Sequence, residues 1–249
     1  MIGAWIEDLA WPEVAARMAD GWPVVVPIGA RSKEHGHHLP MCTDYLLARA
    51  FCDGVIGELP VLVAPVVDFG YYPAFIRYPG SQHIRAETFI ALLSDILGLL
   101  LDQGARQLAI VNTGVSTEGP IQIVVRDLLS KRGVTVPVAD IVRIGRNSAA
   151  RLEQRLGGHG DEHETSVILA IDPTRVDMSR ARPDYGTPPP PPPSVFVSPT
   201  QFRDDPASGH HHSETGVRGD PSLASVEKGR LILDSAIAEL VAGLRPLCP

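Results

Sequence analysis

Residues 24–44 read VVVPIGARSKEHGHHLPMCTD. The first five form an unbroken apolar run, the pattern of a strand buried on both faces of a parallel sheet. The run empties into a loop carrying Glu34, His35, His37, His38 and Asp44, and helical spacing resumes over residues 45–55. In open parallel sheets ligands bind beyond the carboxyl ends of the strands, so chemistry is expected in this loop. Three imidazoles and two carboxylates stand in the eleven residues 34–44 of a chain with only nine histidines. That density suits divalent metal and a hydrolase better than a chance polar surface. Glu34 and His35 are sequence neighbours whose side chains diverge in an extended loop. They would serve two ions more easily than one, with Asp44 as a bridge.

Outward from this stretch the chain alternates strands and helices. Residues 12–20 read as a short helix with proline in its first turn and Gly21 past its end. Residues 61–67 read as a second strand and 87–103 as a long helix stopped by Gly104. A third strand is expected at 107–112, a helix at 121–132 ended by Gly133, and a fourth strand within 134–144. Such alternation implies βαβ units, a mostly parallel sheet and helices on both of its faces. The second half differs: residues 188–193 are unbroken proline, which is extended polyproline II. Only one good helix, 222–244, follows, too little for a separate core. One domain over residues 1–249 is expected, with a Pro-rich surface excursion at about 183–215.

Bulk properties narrow the function classes. With 249 residues the chain is long enough for a full core. Its net charge of -7 argues against a nucleic-acid surface, which needs clustered Lys and Arg. Residues 1–14 carry acidic groups where a secretory leader has a basic region, and the apolar run 89–101 is far short of the roughly 20 residues a bilayer needs. A cytoplasmic protein without membrane partner is the expectation. Three cysteines, Cys42, Cys52 and Cys248, give neither a disulfide framework nor a metal-ligand pair.

Two further segments carry candidate groups. Residues 158–173, GHGDEHETSVILAIDP, place His159, Asp161, Glu162, His163 and Glu164 before an apolar run. Thr165 or Ser166 would cap that run as a helix, but its β-branched residues also read as a strand, and periodicity leaves the type open. Residues 112–120, NTGVSTEGP, follow a strand and open a helix, offering backbone N–H donors to an anion or a carbonyl oxygen. His210, His211 and His212, flanked by glycine and serine, read as a surface loop rather than a ligand set.

PIGARSKEHGHHLPMCTD (27–44) resembles the creatininase-family signature P-x-G-[SA]-x-E-Q-H-G-x-H-L-P-x-x-T-D. GSQHIRAETF (80–89), VNTGVSTEG (111–119), HGDEHETSVILAIDPTRVDM (159–178) and GVRGDPSLASVEKG (216–229) are similar to later segments of that family, in its order. The resemblance implies a creatininase-like three-layer α/β/α sandwich with a mostly parallel sheet, assembled as a homo-oligomer, often a hexamer. It also implies divalent metal, zinc or manganese, one or two ions per subunit, and hydrolysis of a C–N bond in a small, often cyclic, amide. By the same resemblance His35, Asp44 and Glu162 are metal ligands, as is Glu34 if one extra loop residue lets it swing into the place that Lys33 holds in register. His159 is implied to carry a proton, and Glu164 either does so or orients a ligand. His37, His83, Thr113 and Ser116 border the substrate, with the N–H groups near Thr113 to Ser116 taking up oxyanion charge. Gly114 stands where the family has a ligand histidine, which favours, as the competing reading, a member kept for binding or assembly without catalysis; a third reading is a family hydrolase acting on a formamide, lactone or peptide.

Overall fold

The computed structural model of the chain describes residues 2–187, 194, 195, 207 and 213–249. Five strands make one sheet: β1 (Ala4–Trp5), β2 (Val24–Ile28), β3 (Leu62–Val63), β4 (Leu108–Asn112) and β5 (Val138–Asp140). Their order is β1-β3-β2-β4-β5, with every pairing parallel. Among the described residues six α-helices accompany them: α1 (Trp11–Ala19), α2 (Thr43–Glu58), α3 (Ala86–Asp102), α4 (Glu118–Arg132), α5 (Glu162–Ile171) and α6 (Val226–Leu244). Among the described residues no helix is long and apolar enough to cross a membrane.

Alternation along the strands divides the core into two layers. Val25, Val63, Ala109 and Val111 pack with Leu47, Phe51 and Val55 of α2, Ile168 of α5 and Ile232 and Leu240 of α6. Val24, Val26, Ile28, Leu108 and Ile110 face the other way, onto Met18 of α1, Phe89, Leu93 and Leu97 of α3, and Ile121 and Val124 of α4. Successive side chains on a strand point to opposite faces, so continuous apolar runs such as 24–28 and 108–112 demand cover on both sides. The three-layer α/β/α sandwich satisfies that demand.

Several elements differ from their sequence reading in instructive ways. The strand expected over 61–67 is only Leu62–Val63. Pro65 cannot donate to the ladder, and Val67 rejoins β2 only through an isolated bridge to Ile28. β1, two residues long, was too short to leave a periodic signal. The ambiguous run 167–171 is helical because α5 starts earlier, at Glu162, where Asp161 Oδ1 accepts the Glu164 N–H at 3.0 Å. Thr165 and Ser166 therefore do not cap it: Thr165 Oγ1 meets His38 Nε2 at 2.8 Å, and Ser166 Oγ accepts the Ser225 N–H at 3.2 Å. The proline run 188–193 and His210 to His212 lie outside the described residues.

The connections set where a site forms. From β2 the chain leaves through α2 toward β3, whereas from β4 it leaves through α4 toward β5. The helices lie on opposite faces, so a crevice opens between the carboxyl ends of β2 and β4, the topological switch point of a doubly wound sheet. The loops 29–42 and 113–117 both emerge there.

Candidate active site

Close backbone approach builds the crevice. A Cβ on Gly29 would lie 2.5 Å from the Asp44 carbonyl oxygen and 2.9 Å from Thr113 Oγ1, so only glycine lets the loop leave β2 this tightly. Thr113 Oγ1 lies 2.8 Å from the Asp44 carbonyl and 3.0 Å from that of Ile28, tying α2 to the ends of both strands. Asp44 thus sits in the first turn of α2, where the helix dipole favours a carboxylate. Thr113 is 1% exposed, spent on this brace, and not among the residues that line the adjoining pocket.

Both Asp44 oxygens have partners. Oδ1 lies 2.9 Å from His35 Nε2, and Oδ2, without a well-angled hydrogen bond, meets Lys33 Nζ at 2.6 Å as an ion pair. Lys33 and Asp44 are 6% and 1% exposed. Burial raises the Asp44 carboxyl, but the Lys33 ammonium and His35 outweigh it and hold the group well below the usual carboxylate range. His35 Nδ1 lies 2.9 Å from the Lys33 carbonyl, which fixes the ring.

Chain from 159–164 comes in on the other side. The His159 ring lies 4.6 Å from that of His35 and 4.4 Å from that of Phe75. Its Nε2 is 3.2 Å from Glu34 Oε2 and 2.7 Å from the Glu34 carbonyl. Burial alone would lower the His159 pKa; the Glu34 carboxylate, with help from Glu164, holds it above the ordinary histidine value. Glu164 Oε2 accepts the Gly160 N–H at 2.6 Å. One donor atom from each of His35, His159 and Glu164 falls within 4.8 Å of the others. Two imidazoles and a carboxylate, partly open, are the donor set of a single catalytic zinc.

The remaining expected residues are placed otherwise. Glu34 reaches His159 and the Gly36 N–H rather than Asp44, because Lys33 fills the space beside that carboxylate. Glu162, expected as a ligand, is fully buried away from the cluster. It accepts the N–H groups of Glu153 at 2.8 Å and Gln154 at 2.7 Å and pairs with Lys228 Nζ at 2.5 Å, and it is not among the groups that converge with His35. His37 is exposed. His83 Nδ1 accepts the Tyr72 N–H at 3.0 Å and packs beside Tyr71, bracing the pocket wall. Ser116 lines the pocket itself, together with Lys33, Asp44, Tyr71, Tyr72 and Gly114. Phe75, which packs on His159 and lies 5.2 Å beneath Lys33 Nζ, was not read from the sequence. A lone aromatic between strands carries no signal of its partner.

Comparisons with known proteins bear on the chain as a whole. The family described as creatininase, creatinine amidohydrolase, matches residues 7–244. Creatinine amidohydrolase of Pseudomonas putida is 30% identical over 98% of this chain and 97% of its own. A mycofactocin precursor peptide peptidase of Mycobacterium tuberculosis is 29% identical over 88% of this chain and 82% of its own. Among solved structures, a manganese creatininase superposes with a TM-score of 0.82 at 28% identity, covering 99% of both chains. A variant creatininase of Zn-Zn type gives 0.81 at 29% identity over 98% of both. Matched by the family model over residues 7–244 and by relatives and solved structures over nearly its whole length, the chain belongs to the creatininase family.

Proposed function

We propose that this protein is a cytoplasmic, single-domain hydrolase that cleaves a carbonyl–nitrogen bond in a small amide, using one divalent ion, zinc or manganese. The observation that carries the reading is the convergence of His35, His159 and Glu164 within 4.8 Å at the switch-point crevice. A bound divalent ion supplies Lewis acidity there and lowers the pKa of water toward neutrality. The chain's own residues do the rest. The Lys33 carbonyl and Asp44 hold the two nitrogens of His35, so an ion taken by this ring would displace one of them and leave the other to orient it, as Glu34 orients His159. Lys33 places a positive charge on the pocket wall, where charge grows on the carbonyl oxygen. With His159 and Glu164 used as ligands, Glu34 is the carboxylate beside them that passes a proton toward the leaving nitrogen. Phe75 keeps water from the back of the cluster.

The relatives suggest which substrates to try, one being named for creatinine and one for a precursor peptide. A panel of cyclic amides, formamides, lactones and short peptides, assayed with zinc or manganese and again after chelation, tests the proposal. Metal-dependent turnover of an amide, abolished in His35→Ala, is expected. Metal-free protein with no turnover on any of them would sink it and favour the second reading, a binding or assembly member without catalysis, which the Lys33–Asp44 pair supports. The homo-oligomer, a hexamer, is part of the same proposal and is checked by native mass.

A further inference from the structure

We infer that the Lys33 ammonium stands in for a metal ion on Asp44, so that this crevice takes at most one divalent ion where a Zn-Zn relative takes two. The inference rests on the one-ion reading above only for the neighbouring His35, His159 and Glu164 set. Its own grounds lie on the Asp44 side of the crevice. Lys33 Nζ is 2.6 Å from Asp44 Oδ2, while the other oxygen is taken by His35 at 2.9 Å. Both partners are buried, at 6% and 1% exposure, so this is a lodged cation and not a surface pair that solvent exchanges. Phe75 supports it from below, with the ring centroid 5.2 Å from Nζ.

The rest of the pocket wall lacks the donors a second ion needs. Around Lys33 and Asp44 it is lined by glycine, alanine and isoleucine and by Tyr71, Tyr72, Ser116 and Thr117, and the Tyr72 hydroxyl is already spent on the Ser32 and Gln82 carbonyls. Among the described residues no imidazole, thiol or second carboxylate lines it. Thr117 Oγ1 is already held by Asn112 Oδ1 at 2.7 Å and by the Gly114 carbonyl at 2.6 Å. A divalent ion bound through one carboxylate already shared with an ammonium would lack the three or more protein ligands such sites supply. An ammonium needs only one anion and an apolar bed, and it cannot be chelated away. A fixed charge of one replaces a removable charge of two, at the point where a substrate carbonyl would sit.

Counting ions tests this without reference to turnover. Wild type, Lys33→Gln and Lys33→Glu are dialysed against zinc, and separately manganese, and metal per chain is measured by mass spectrometry. The expected result is at most one ion in the wild type and one more than the wild type in Lys33→Glu, with zinc raising the melting temperature of Lys33→Gln more than that of the wild type. If Lys33→Glu does not fold without metal, the wild-type count and the Lys33→Gln melting shift still decide. Two ions in the wild type, or equal counts and equal melting shifts across the three proteins, would overturn the inference. The function reading fails separately. No ion in the wild type and one in Lys33→Glu supports the lysine's role while removing the single-ion hydrolase, and one ion in both does the reverse.

Discussion

Glu162 and Glu164 stand two residues apart in one helical turn, yet they do different work. Glu162 is fully buried and satisfied by two backbone N–H groups and the Lys228 ammonium, so its charge ties the segment before α5 to the start of α6. Removing one partner of a buried charged network leaves the other uncompensated. Glu162→Gln is therefore expected to cost roughly 3 kcal/mol of stability while leaving bound metal unchanged. Denaturant titration and metal analysis on the same preparation check both halves; metal lost in step with the glutamate would restore it as a ligand. Residue types and spacing made both glutamates candidates. Choosing between them needed Lys228, 66 positions away in the chain. Similarly, Glu34 looks as fit for Asp44's neighbourhood as Lys33 does until the loop geometry puts the ammonium there.

Between elements, α6 approaches α5 closely in the layer they share with α2. Gly229 lies where an added Cβ would overlap the Ser166 carbonyl oxygen and press on Ala170. Both helices carry the rear wall of the crevice, since α5 begins at the residues that bear Glu164. Gly229→Ala is expected to destabilise by about 2 to 4 kcal/mol, because overpacking against backbone has no rotamer to relieve it. Thermal melting measures this, and a loss below about 0.5 kcal/mol would mean that the helices part easily. The long helices and the strands 24–28 and 107–112 were legible from their periods, to within a few residues. The type of 167–171 was not, because five β-branched and aliphatic residues fit either period. Asp161 as N-cap and the packing of α6 settled it.

At the scale of the whole molecule, stability against pH reports how the buried histidines are held. His38 is buried, bonds Thr165 through Nε2, and its Nδ1 finds no partner among the described residues. Burial first, then the neighbouring His35, lowers its pKa from 6.5 to about 4. A base whose folded pKa is depressed stays neutral while the unfolded chain takes up a proton, so stability is lost as pH falls from 6.5 toward about 4. The loss is at most about 3 kcal/mol at 1.36 kcal/mol per pKa unit. His159, with its pKa raised, changes stability above that window, whereas His83, also lowered by burial, adds to the slope within it. Denaturant titrations at stepped pH should show a shallower decline in His38→Gln than in the wild type; parallel curves would contradict the depressed value. The amino-acid sequence by itself determined the α/β class, the parallel sheet, the crevice loop and the family, because hydrophobic period and motif spacing are local properties written along the chain. Only the tertiary structure decided that His159 and Glu164 join His35, that Glu162 belongs to Lys228, and that an ammonium rests on Asp44. Those are contacts between segments far apart in sequence, and charge pairing across them depends on which side chains the folded sheet brings within a few ångströms.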